Sequence, residues 1–503
     1  MNQLSHTITR TPLGIQAVEI TVEVHLFAGL PRMQIVGLPE TVVRESKERV
    51  RSALLMSQFQ FPQQVIIVNL APAEIPKSGG RLDLAIAMGV LQASGQLPEG
   101  AVGGFEFLGE LALSGELRPV RGILPAALAC RNRGRRLIVP SGNAVEAARV
   151  GNLEVYGADH LLQVVGHLCG TEPLQPQPPT DTSKHFADSD EDLGQIKGQR
   201  HAKRALEIAA AGGHSLLMTG PPGTGKTMLA RRLRTLLPPL TEDEMLEVAA
   251  IYSVHGTSGD DDARPFRQPH HSASLVALIG GGSTPRPGEV SLAHKGVLFL
   301  DELPEFQRRV LESLRQPLEA REVDIARARY RIRYPADFQL VMAMNPCPAG
   351  GCGDGIPCRC RPGDAERYQA KLSGPFLDRI DMHVWVPRLR PGELQGSAGE
   401  ASEIVRRRVV QAREVQLQRG GRANFALGPS DVDRLCTPKD SDWSDLERAT
   451  QQLGLSARAV HKLLRVARTV ADLENSAEVE KKHWEEALSY RPRLAVNPAT
   501  SRR

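Results

Sequence analysis

The sequence predicts an α/β fold organised around a nucleotide-binding sheet, and three patterns support that prediction. Residues 220–227 (GPPGTGKT) match the phosphate-binding loop G-x-x-x-x-G-K-[ST], with an apolar strand pattern before them and a helical pattern after them. Residues 297–302 (VLFLDE) form an apolar strand pattern that ends in two acids, and residues 341–345 (VMAMN) form one that ends in an amide. In open α/β sheets, ligands gather at the carboxyl ends of the strands.

The residue types in these patterns predict binding and hydrolysis of a nucleoside triphosphate such as ATP. Backbone N–H groups of the loop and the positive end of the following helix dipole would hold the phosphates. We expect Lys226 to reach the β- and γ-phosphates, and Thr227 and Asp301 to hold Mg²⁺. Glu302 is expected to polarise the attacking water as a general base. The residues predicted to line the phosphate site are Gly220, Pro221, Pro222, Gly223, Thr224, Gly225, Lys226 and Thr227.

Size and composition restrict what the rest of the chain can be. A chain of 503 residues is too long for one core, which predicts about two to four domains. Aromatic residues make up only 4%, which argues against broad stacking surfaces for single strands. The net charge is only +4, so a polyanion site must come from local clustering. No apolar run reaches the ~18 residues of a membrane helix, and the N-terminus lacks signal-peptide features, so we expect a soluble cytoplasmic protein.

Changes of pattern along the chain predict four segments. Residues 1–170 mix strand and helix patterns and are expected to form an α+β or α/β domain. Residues 171–190 are rich in Pro and polar residues without an apolar period, which predicts a flexible, partly extended linker. Residues 191–390 contain the nucleotide-binding patterns. Residues 391–503 show successive helical patterns, several with N-cap residues, and predict a helical lid.

Two stretches of the first domain resemble the proteolytic domain of Lon-type proteases, which has a ribosomal-S5-like α+β fold. They are PKSGGR at 76–81 and GELALSGELRPVRGIL at 109–124. The resemblance puts the nucleophilic serine of those proteases at Arg81 and their catalytic lysine at Leu124, and no lysine stands where it would activate the nearby Ser78. We therefore expect a scaffold or partner-binding module and no protease activity. Lys77 and Arg81 are expected to form a basic contact or a solvated face.

Four further positions resemble those of AAA+ ATPases. Ile196, in the segment IKGQ, matches a position that packs against adenine, and Asn345 matches sensor 1, which orients water near the γ-phosphate. Arg379, in GPFLDRID, resembles the arginine finger, which would reach the nucleotide of a neighbouring subunit in a ring. Arg458, in LSARA, resembles sensor 2. An ordinary surface salt bridge is the alternative for each arginine.

Alternating arginines upstream of Asn345 predict an anion-binding surface. Arg327, Arg329, Arg331 and Arg333 occupy every second residue, which in a β-strand puts four guanidinium groups on one face. Phosphates of a nucleic-acid backbone are the natural counterpart of such a row, and its position fits the pore hairpin of one AAA+ branch. A solvated edge strand that its charge protects from aggregation is the alternative.

Four of the seven cysteines lie within one short segment. Cys347, Cys352, Cys358 and Cys360 follow Asn345 directly, and together they resemble a structural Zn²⁺ site. The Cys-Arg-Cys spacing at the end of the segment is tighter than the usual C-x₂-C pair. A reduced, metal-free loop and another metal or redox role are the alternatives.

The combination of these motifs points to one family. The Lon-like first domain, GEVSLAHKGVLFLDE at 288–302, AMNPCP at 343–348 and LSARA at 455–459 together resemble the YifB/ComM family of bacterial magnesium-chelatase-like AAA+ ATPases. The resemblance covers nearly the whole chain. It implies an ATP- and Mg²⁺-dependent hexameric ring that acts on branched or single-stranded DNA, as a helicase for branch migration during natural transformation. No membrane partner is expected.

Two other functions compete with a DNA motor. A metal-chelatase motor subunit would load Mg²⁺ into a tetrapyrrole with partners, but such subunits are not fused to a Lon-like domain. A protein unfoldase or chaperone usually threads its substrate with an aromatic pore residue, and no aromatic–glycine pore loop is evident in this sequence.

Overall fold

The structure of the protein is a computed structural model in which two large β-sheets and a C-terminal group of helices pack together. It describes residues 4–37, 41–77, 79–179, 191–257, 264–282, 285–326, 331–353, 358–394, 399–438 and 440–491. Ser78, Arg327 and Arg329, which the sequence analysis singles out, lie outside these stretches.

A seven-stranded sheet forms the centre of the N-terminal unit. The strands of this unit are β1 (Leu4–Leu13), β2 (Gln16–Phe27), β3 (Arg32–Val36), β4 (Val65–Ala71), β5 (Phe105–Phe107), β6 (Glu110–Leu111), β7 (Leu117–Arg118), β8 (Arg136–Pro140) and β9 (Val155–Ala158). The sheet order is β3-β4-β2-β1-β5-β8-β9, and β6 pairs with β7 separately. Ile20, Val22 and Val24 are fully buried along β2, because successive side chains of a strand point to opposite faces.

Five helices cover this sheet. They are α1 (Thr41–Met56), α2 (Asp83–Ala93), α3 (Ile123–Arg131), α4 (Ser141–Ala147) and α5 (Leu161–Cys169). Helix α2 lies across β1 and β2, where the Thr7 hydroxyl donates to the Ala85 carbonyl at 2.8 Å. A buried ion pair, Arg10 to Glu106 at 2.6 Å, joins β1 to β5. The first residues of the predicted linker lie against β9, since the Gln177 amide donates to the Val155 carbonyl at 2.7 Å.

A five-stranded parallel sheet forms the centre of the second unit. The strands here are β10 (Leu216–Thr219), β11 (Phe266–Arg267), β12 (Gly280–Gly281), β13 (Arg286–Pro287), β14 (Val297–Leu300), β15 (Glu322–Ala326), β16 (Arg331–Pro335), β17 (Gln339–Met344) and β18 (Met382–Trp385). The sheet order is β11-β14-β17-β10-β18, and every pair in it is parallel. All residues of β14 and β17 are buried, as expected for strands covered on both faces. The carboxyl ends of β14, β17 and β10 therefore lie side by side.

Helices surround this sheet and continue into the C-terminal group. The helices of the sheet unit are α6 (Arg200–Gly212), α7 (Lys226–Leu236), α8 (Glu242–His255), α9 (Leu275–Ile279), α10 (Glu289–Leu292), α11 (Arg308–Ser313), α12 (Arg315–Ala320), α13 (Asp364–Gln369), α14 (Gly374–Leu377) and α15 (Pro391–Leu394). The C-terminal helices are α16 (Ser402–Gly420), α17 (Pro429–Leu435), α18 (Asp440–Gln452), α19 (Ala457–Leu473) and α20 (Lys481–Ser489). Helices α16 and α19 pack on α6.

A buried polar network attaches the C-terminal helices to the parallel sheet. Asp381, just before β18, accepts hydrogen bonds from the amide and hydroxyl of Ser215 at 2.9 Å each. The Lys462 ammonium of α19 lies 2.7 Å from the same carboxylate. Burial alone would raise the pKa of Asp381, but the Lys462 charge, together with the other charges and hydrogen bonds around the carboxylate, holds that pKa well below its usual range. The ion pair is therefore kept charged, and it fixes α19 to the sheet.

Helix α8, which the sequence analysis did not predict, carries the contact between the two units. Its residue Ser253 accepts the Gly122 amide at 2.8 Å through its carbonyl, and its hydroxyl accepts the Leu124 amide at 3.3 Å. On the same side, Gly14 in the β1–β2 turn lies so close to β16 that a Cβ there would come within 2.9 Å of the Arg333 carbonyl oxygen. The N-terminal unit thus contacts the hairpin that carries the alternating arginines.

Candidate nucleotide-binding site

The loop between β10 and α7 has the backbone that its glycines predict. Gly223 and Gly225 have φ of 78° and 88°, a left-handed region that favours glycine. A Cβ at Gly220 would lie 2.2 Å from the Val386 carbonyl oxygen, so this position requires glycine for space. Gly225 caps the N-terminus of α7 without any side-chain hydrogen bond. The first N–H groups of α7 are therefore available to an anion.

Lys226 is buried and points back into the loop. Its ammonium donates to the carbonyls of Gly220 at 2.7 Å and Pro221 at 2.8 Å, and to Oδ1 of Asn345 at 3.1 Å. Burial lowers its pKa. The sequence-predicted lysine and sensor amide are thus in direct contact, although 119 residues separate them.

Thr227 and Asp301 also meet at this edge of the sheet. The Thr227 hydroxyl donates to Oδ2 of Asp301 at 2.8 Å, and Oδ1 of Asp301 accepts the Glu302 amide at 2.9 Å. A hydroxyl and a carboxylate are hard oxygen ligands of the kind Mg²⁺ prefers. The donor set at the ends of β14 and α7 therefore fits this ion.

Glu302 stands beyond β14 with its carboxylate exposed. Its φ of 52° is left-handed, which is uncommon for a residue with a side chain and recurs at functional sites. Oε2 of Glu302 lies 3.2 Å from Nδ1 of His271. The His271 ring packs at 4.1 Å from the His270 ring and edge-on to Phe306 at 6.5 Å. No pattern in the sequence indicated that His271 would pair with Glu302.

Ile196 lies next to a large cavity but does not line it. Its side chain is 6% exposed and belongs to the core of the parallel-sheet unit. The cavity of about 800 Å³ is lined by its neighbours, among them Leu193, Gly198 and His201. Gln199 closes one side, because its side-chain amide donates to the Pro387 carbonyl at 2.7 Å.

Arg379 and Arg458 meet at one carboxylate that the sequence analysis missed. Arg379 Nε lies 2.9 Å from Oε1 of Glu319, and Arg458 Nη2 lies 2.8 Å from the same oxygen. The hydrogen bond from Arg458, together with the charge of Arg379, lowers the pKa of Glu319. Both arginines line a cleft of about 570 Å³, and among the described residues no member of 220–227 lines that cleft. The two arginines thus share Glu319 as a partner, and the cleft that they line contains no residue of their own phosphate-binding loop.

The hairpin of β15 and β16 carries the described arginines of the alternating row. Arg331 and Arg333 are exposed on one face, while Ile332 and Tyr334 are buried on the other. The alternation is therefore as expected for a strand. The acids across the hairpin were not predicted from the sequence: Arg331 pairs with Asp324 at 3.0 Å, and Arg333 lies 3.3 Å from both Glu322 and Asp324. These acids offset part of the positive charge.

The four clustered cysteines converge in space. Their sulfur atoms all lie within 4.8 Å of one another, and Cys347 Sγ is 3.5 Å from Cys358 Sγ. All four are free thiols. A hydrogen bond with the Cys360 backbone lowers the pKa of Cys358 to about 6. A hydrogen bond between Cys352 and Cys347 raises the pKa of Cys352.

In the N-terminal unit, Lys77 and Arg81 do not form a solvated face. Lys77 is fully buried and donates to the Gly37 carbonyl at 2.9 Å. Arg81 is 8% exposed, donates to the Arg121 carbonyl, and has its pKa lowered to about 10 by burial. Leu124 is fully buried as well. The expectation of a solvated face was wrong, since both cations satisfy backbone carbonyls inside the fold.

Comparison with known proteins assigns the chain to a family. Family models of the magnesium chelatase subunit ChlI match residues 22–143 and 192–394, and its C-terminal model matches 399–491. Competence protein ComM of Haemophilus influenzae is 50% identical over 496 residues, which cover 97% of both chains. The chain belongs to the YifB/ComM family.

Other relatives agree with this assignment. The uncharacterized protein YifB of Escherichia coli is 47% identical over 97% of both chains. Lon protease 2 of Bacillus subtilis is 27% identical over 178 residues, which cover 30% of this chain and 32% of the protease. As a member of the YifB/ComM family, the chain contains an α/β AAA+ module of the magnesium-chelatase type and is an AAA+ ATPase motor that uses ATP and Mg²⁺. None of its described helices combines the length and apolar character needed to span a membrane.

Proposed function

We propose that this member of the YifB/ComM family hydrolyses ATP between neighbouring subunits of a ring and uses the energy to move DNA. The ATP site is assigned to the carboxyl edge of the parallel sheet. Lys226, now held by two loop carbonyls and Asn345, would exchange those carbonyls for β- and γ-phosphate oxygens. Mg²⁺ would be held by Thr227 and Asp301 and would neutralise charge on the phosphates.

Hydrolysis requires a base and an orienting group close to the γ-phosphate. We assign the base to Glu302, because its carboxylate is exposed just beyond the strand that positions Asp301. Glu302 would accept the proton of the attacking water, and Asn345 would orient that water by a hydrogen bond. His271, 3.2 Å from Glu302, would hold the carboxylate in place until ATP enters.

The arginine cleft supports a ring. Arg379 and Arg458 share Glu319 in a cleft that none of residues 220–227 lines. Neither arginine therefore completes the nucleotide site of its own subunit. A neighbouring subunit would bring its γ-phosphate to this cleft and replace the Glu319 carboxylate as the anionic partner. A heterologous contact of this kind forms a ring when its rotation closes, and we propose a homohexamer.

The proposal that DNA is the cargo rests mainly on the exposed arginines of the β15–β16 hairpin. Arg331 and Arg333 are exposed at 69% and 61%, and residues 322–335 hold four arginines against two acids. The excess positive charge suits phosphates, and we propose that Arg327 and Arg329, which lie outside the described residues, also bind them. The hairpin continues within four residues into β17, and Asn345 directly follows β17, so a conformational change on hydrolysis has a short path to the hairpin.

The name of one relative agrees with a role in natural transformation. ComM is named a competence protein, and we propose that this chain promotes branch migration on branched or single-stranded DNA during natural transformation. A chelatase motor is the second candidate, because the matching family models describe a magnesium chelatase subunit. It has less support, since a magnesium-chelatase 67 kDa subunit of Heliobacterium mobile is 27% identical over only 38% of this chain.

The ATP site can be tested by removing the proposed base. Glu302→Gln should lower the rate of phosphate release by about 10²–10⁴-fold and leave binding of a fluorescent ATP analogue intact. Lys226→Ala should abolish both, because the lysine contacts the phosphates. Glu305→Gln is the matched control, since Glu305 is exposed and pairs with Lys371 at 3.3 Å. Normal turnover in Glu302→Gln would contradict the assignment.

Subunit mixing tests whether Arg379 acts on a neighbour. Arg379→Ala and Lys226→Ala should each be inactive, but an equal mixture should regain turnover, because about one interface in four then combines an intact loop with an intact arginine. A mixture of Lys226→Ala with Glu302→Gln is the control and should stay inactive, since both lesions lie in one subunit's site. Assembly of both mixtures without recovery in the first would rule out action in trans.

The hairpin is tested by the salt dependence of DNA binding. The double variant Arg331→Ala/Arg333→Ala should bind DNA more weakly, and the slope of log K against log salt should become shallower by about 2. Arg434→Ala is the control, because Arg434 is 67% exposed with one acidic partner, Asp431, outside the hairpin. Unchanged affinity and slope in the double variant would place the DNA path elsewhere.

A further inference from the structure

We propose that Cys347, Cys352, Cys358 and Cys360 hold one Zn²⁺ ion, and that this site fastens the segment after Asn345 onto the phosphate-binding loop. The proposal has a metal-binding part, which stands on the cysteines alone. It also has a coupling part, which rests on the proposed ATP site.

The sulfur positions suit a single metal ion. In a tetrahedral site with Zn–S bonds of about 2.3 Å, neighbouring sulfurs lie about 3.8 Å apart. The four sulfurs here lie within 4.8 Å of one another, with the Cys347–Cys358 pair at 3.5 Å. That pair is too far apart for a disulfide bond of about 2.05 Å. A cluster of several iron atoms needs its thiolates more widely spaced than this.

The chemistry of the ligands favours zinc. Four thiolates form the soft donor set of a closed, structural zinc site. The Cys352 amide donates to Cys347 Sγ at 3.4 Å, and N–H donors to sulfur stabilise a thiolate over a thiol. Without a cation, four neutral thiols would gain little by meeting, because S–H groups are weak donors and weak acceptors.

The cysteine segment lies directly on the phosphate-binding loop. Gly350 has a φ of 77°, and a Cβ there would come within 2.5 Å of Pro222 Cδ. Cys347 is fully buried two residues after Asn345. Gly353 lies against the Trp385 ring at the end of β18, where a Cβ would be 3.1 Å from the ring. A metal that ties this segment together therefore fixes the backbone on both sides of the nucleotide site.

The coupling part follows from these contacts. Loss of the metal would release the segment from Pro222 and loosen the strand end that carries Asn345. The hydrogen bond from Lys226 to Asn345 would then no longer be held at its present length of 3.1 Å. Small displacements of positioning groups cost large factors in rate, so we expect turnover to fall by about 10- to 100-fold.

The metal-binding part is tested on the full-length protein, purified without chelators. Elemental analysis should find about one zinc per chain. Cobalt substitution should give the absorption bands of a tetrahedral tetrathiolate site. Cys347→Ser/Cys358→Ser should contain no zinc, and the control Cys169→Ser, an exposed cysteine outside the cluster, should keep it. A wild-type protein without zinc, or a double variant that keeps it, would overturn the proposal, whatever the ATPase assays give.

The coupling part is tested by removing the metal from folded wild-type protein with a chelator and then restoring zinc. Turnover should fall and recover, while circular dichroism shows the fold retained. Turnover that is unchanged in a metal-free, folded protein would refute the coupling and leave the metal site standing. Inactivity of the zinc-loaded protein would instead count against the proposed ATPase site, so the two failures can be told apart.

Discussion

Two hydrogen bonds join three neighbouring strand ends at the edge of the parallel sheet. Lys226 donates to Asn345 at 3.1 Å, and Thr227 donates to Asp301 at 2.8 Å. These contacts exist because the order β14-β17-β10 places three carboxyl ends side by side, and each strand is buried on both faces. The proposed chemistry needs this arrangement, since phosphate, Mg²⁺ and water must be held within a few ångströms of one another.

The same edge is tied to the rest of the molecule by buried contacts. The carboxylate of Asp381 joins Ser215, before β10, to Lys462 in α19, so the C-terminal helices are attached directly to the sheet. On the opposite side, β17 follows directly from the arginine hairpin, and the hairpin touches the β1–β2 turn of the N-terminal unit at Gly14. A change at the nucleotide therefore has physical routes to the lid, to the hairpin and to the Lon-like unit.

Local patterns predicted the parts of this site, and tertiary contacts supplied the rest. The loop, the acidic strand end and Asn345 were predictable, because glycine φ requirements and buried apolar strands produce recognisable sequence patterns within a few residues. The role of Glu319 was not predictable, because its partners Arg379 and Arg458 lie 60 and 139 residues away. Helix α8 was missed because it is covered from two sides, so its apolar residues do not follow one face. The acids opposite Arg331 and Arg333 lie on a separate strand, and only the hairpin register brings them together.

If hydrolysis at this edge moves DNA, then DNA should change the rate of hydrolysis. The initial rate of ATP hydrolysis by the full-length protein is measured at fixed salt without DNA and with branched, single-stranded or duplex DNA. We expect the rate to rise with branched or single-stranded DNA. A protein that hydrolyses ATP at the same rate with and without each of these DNAs would contradict it, and would favour a chelatase-type motor.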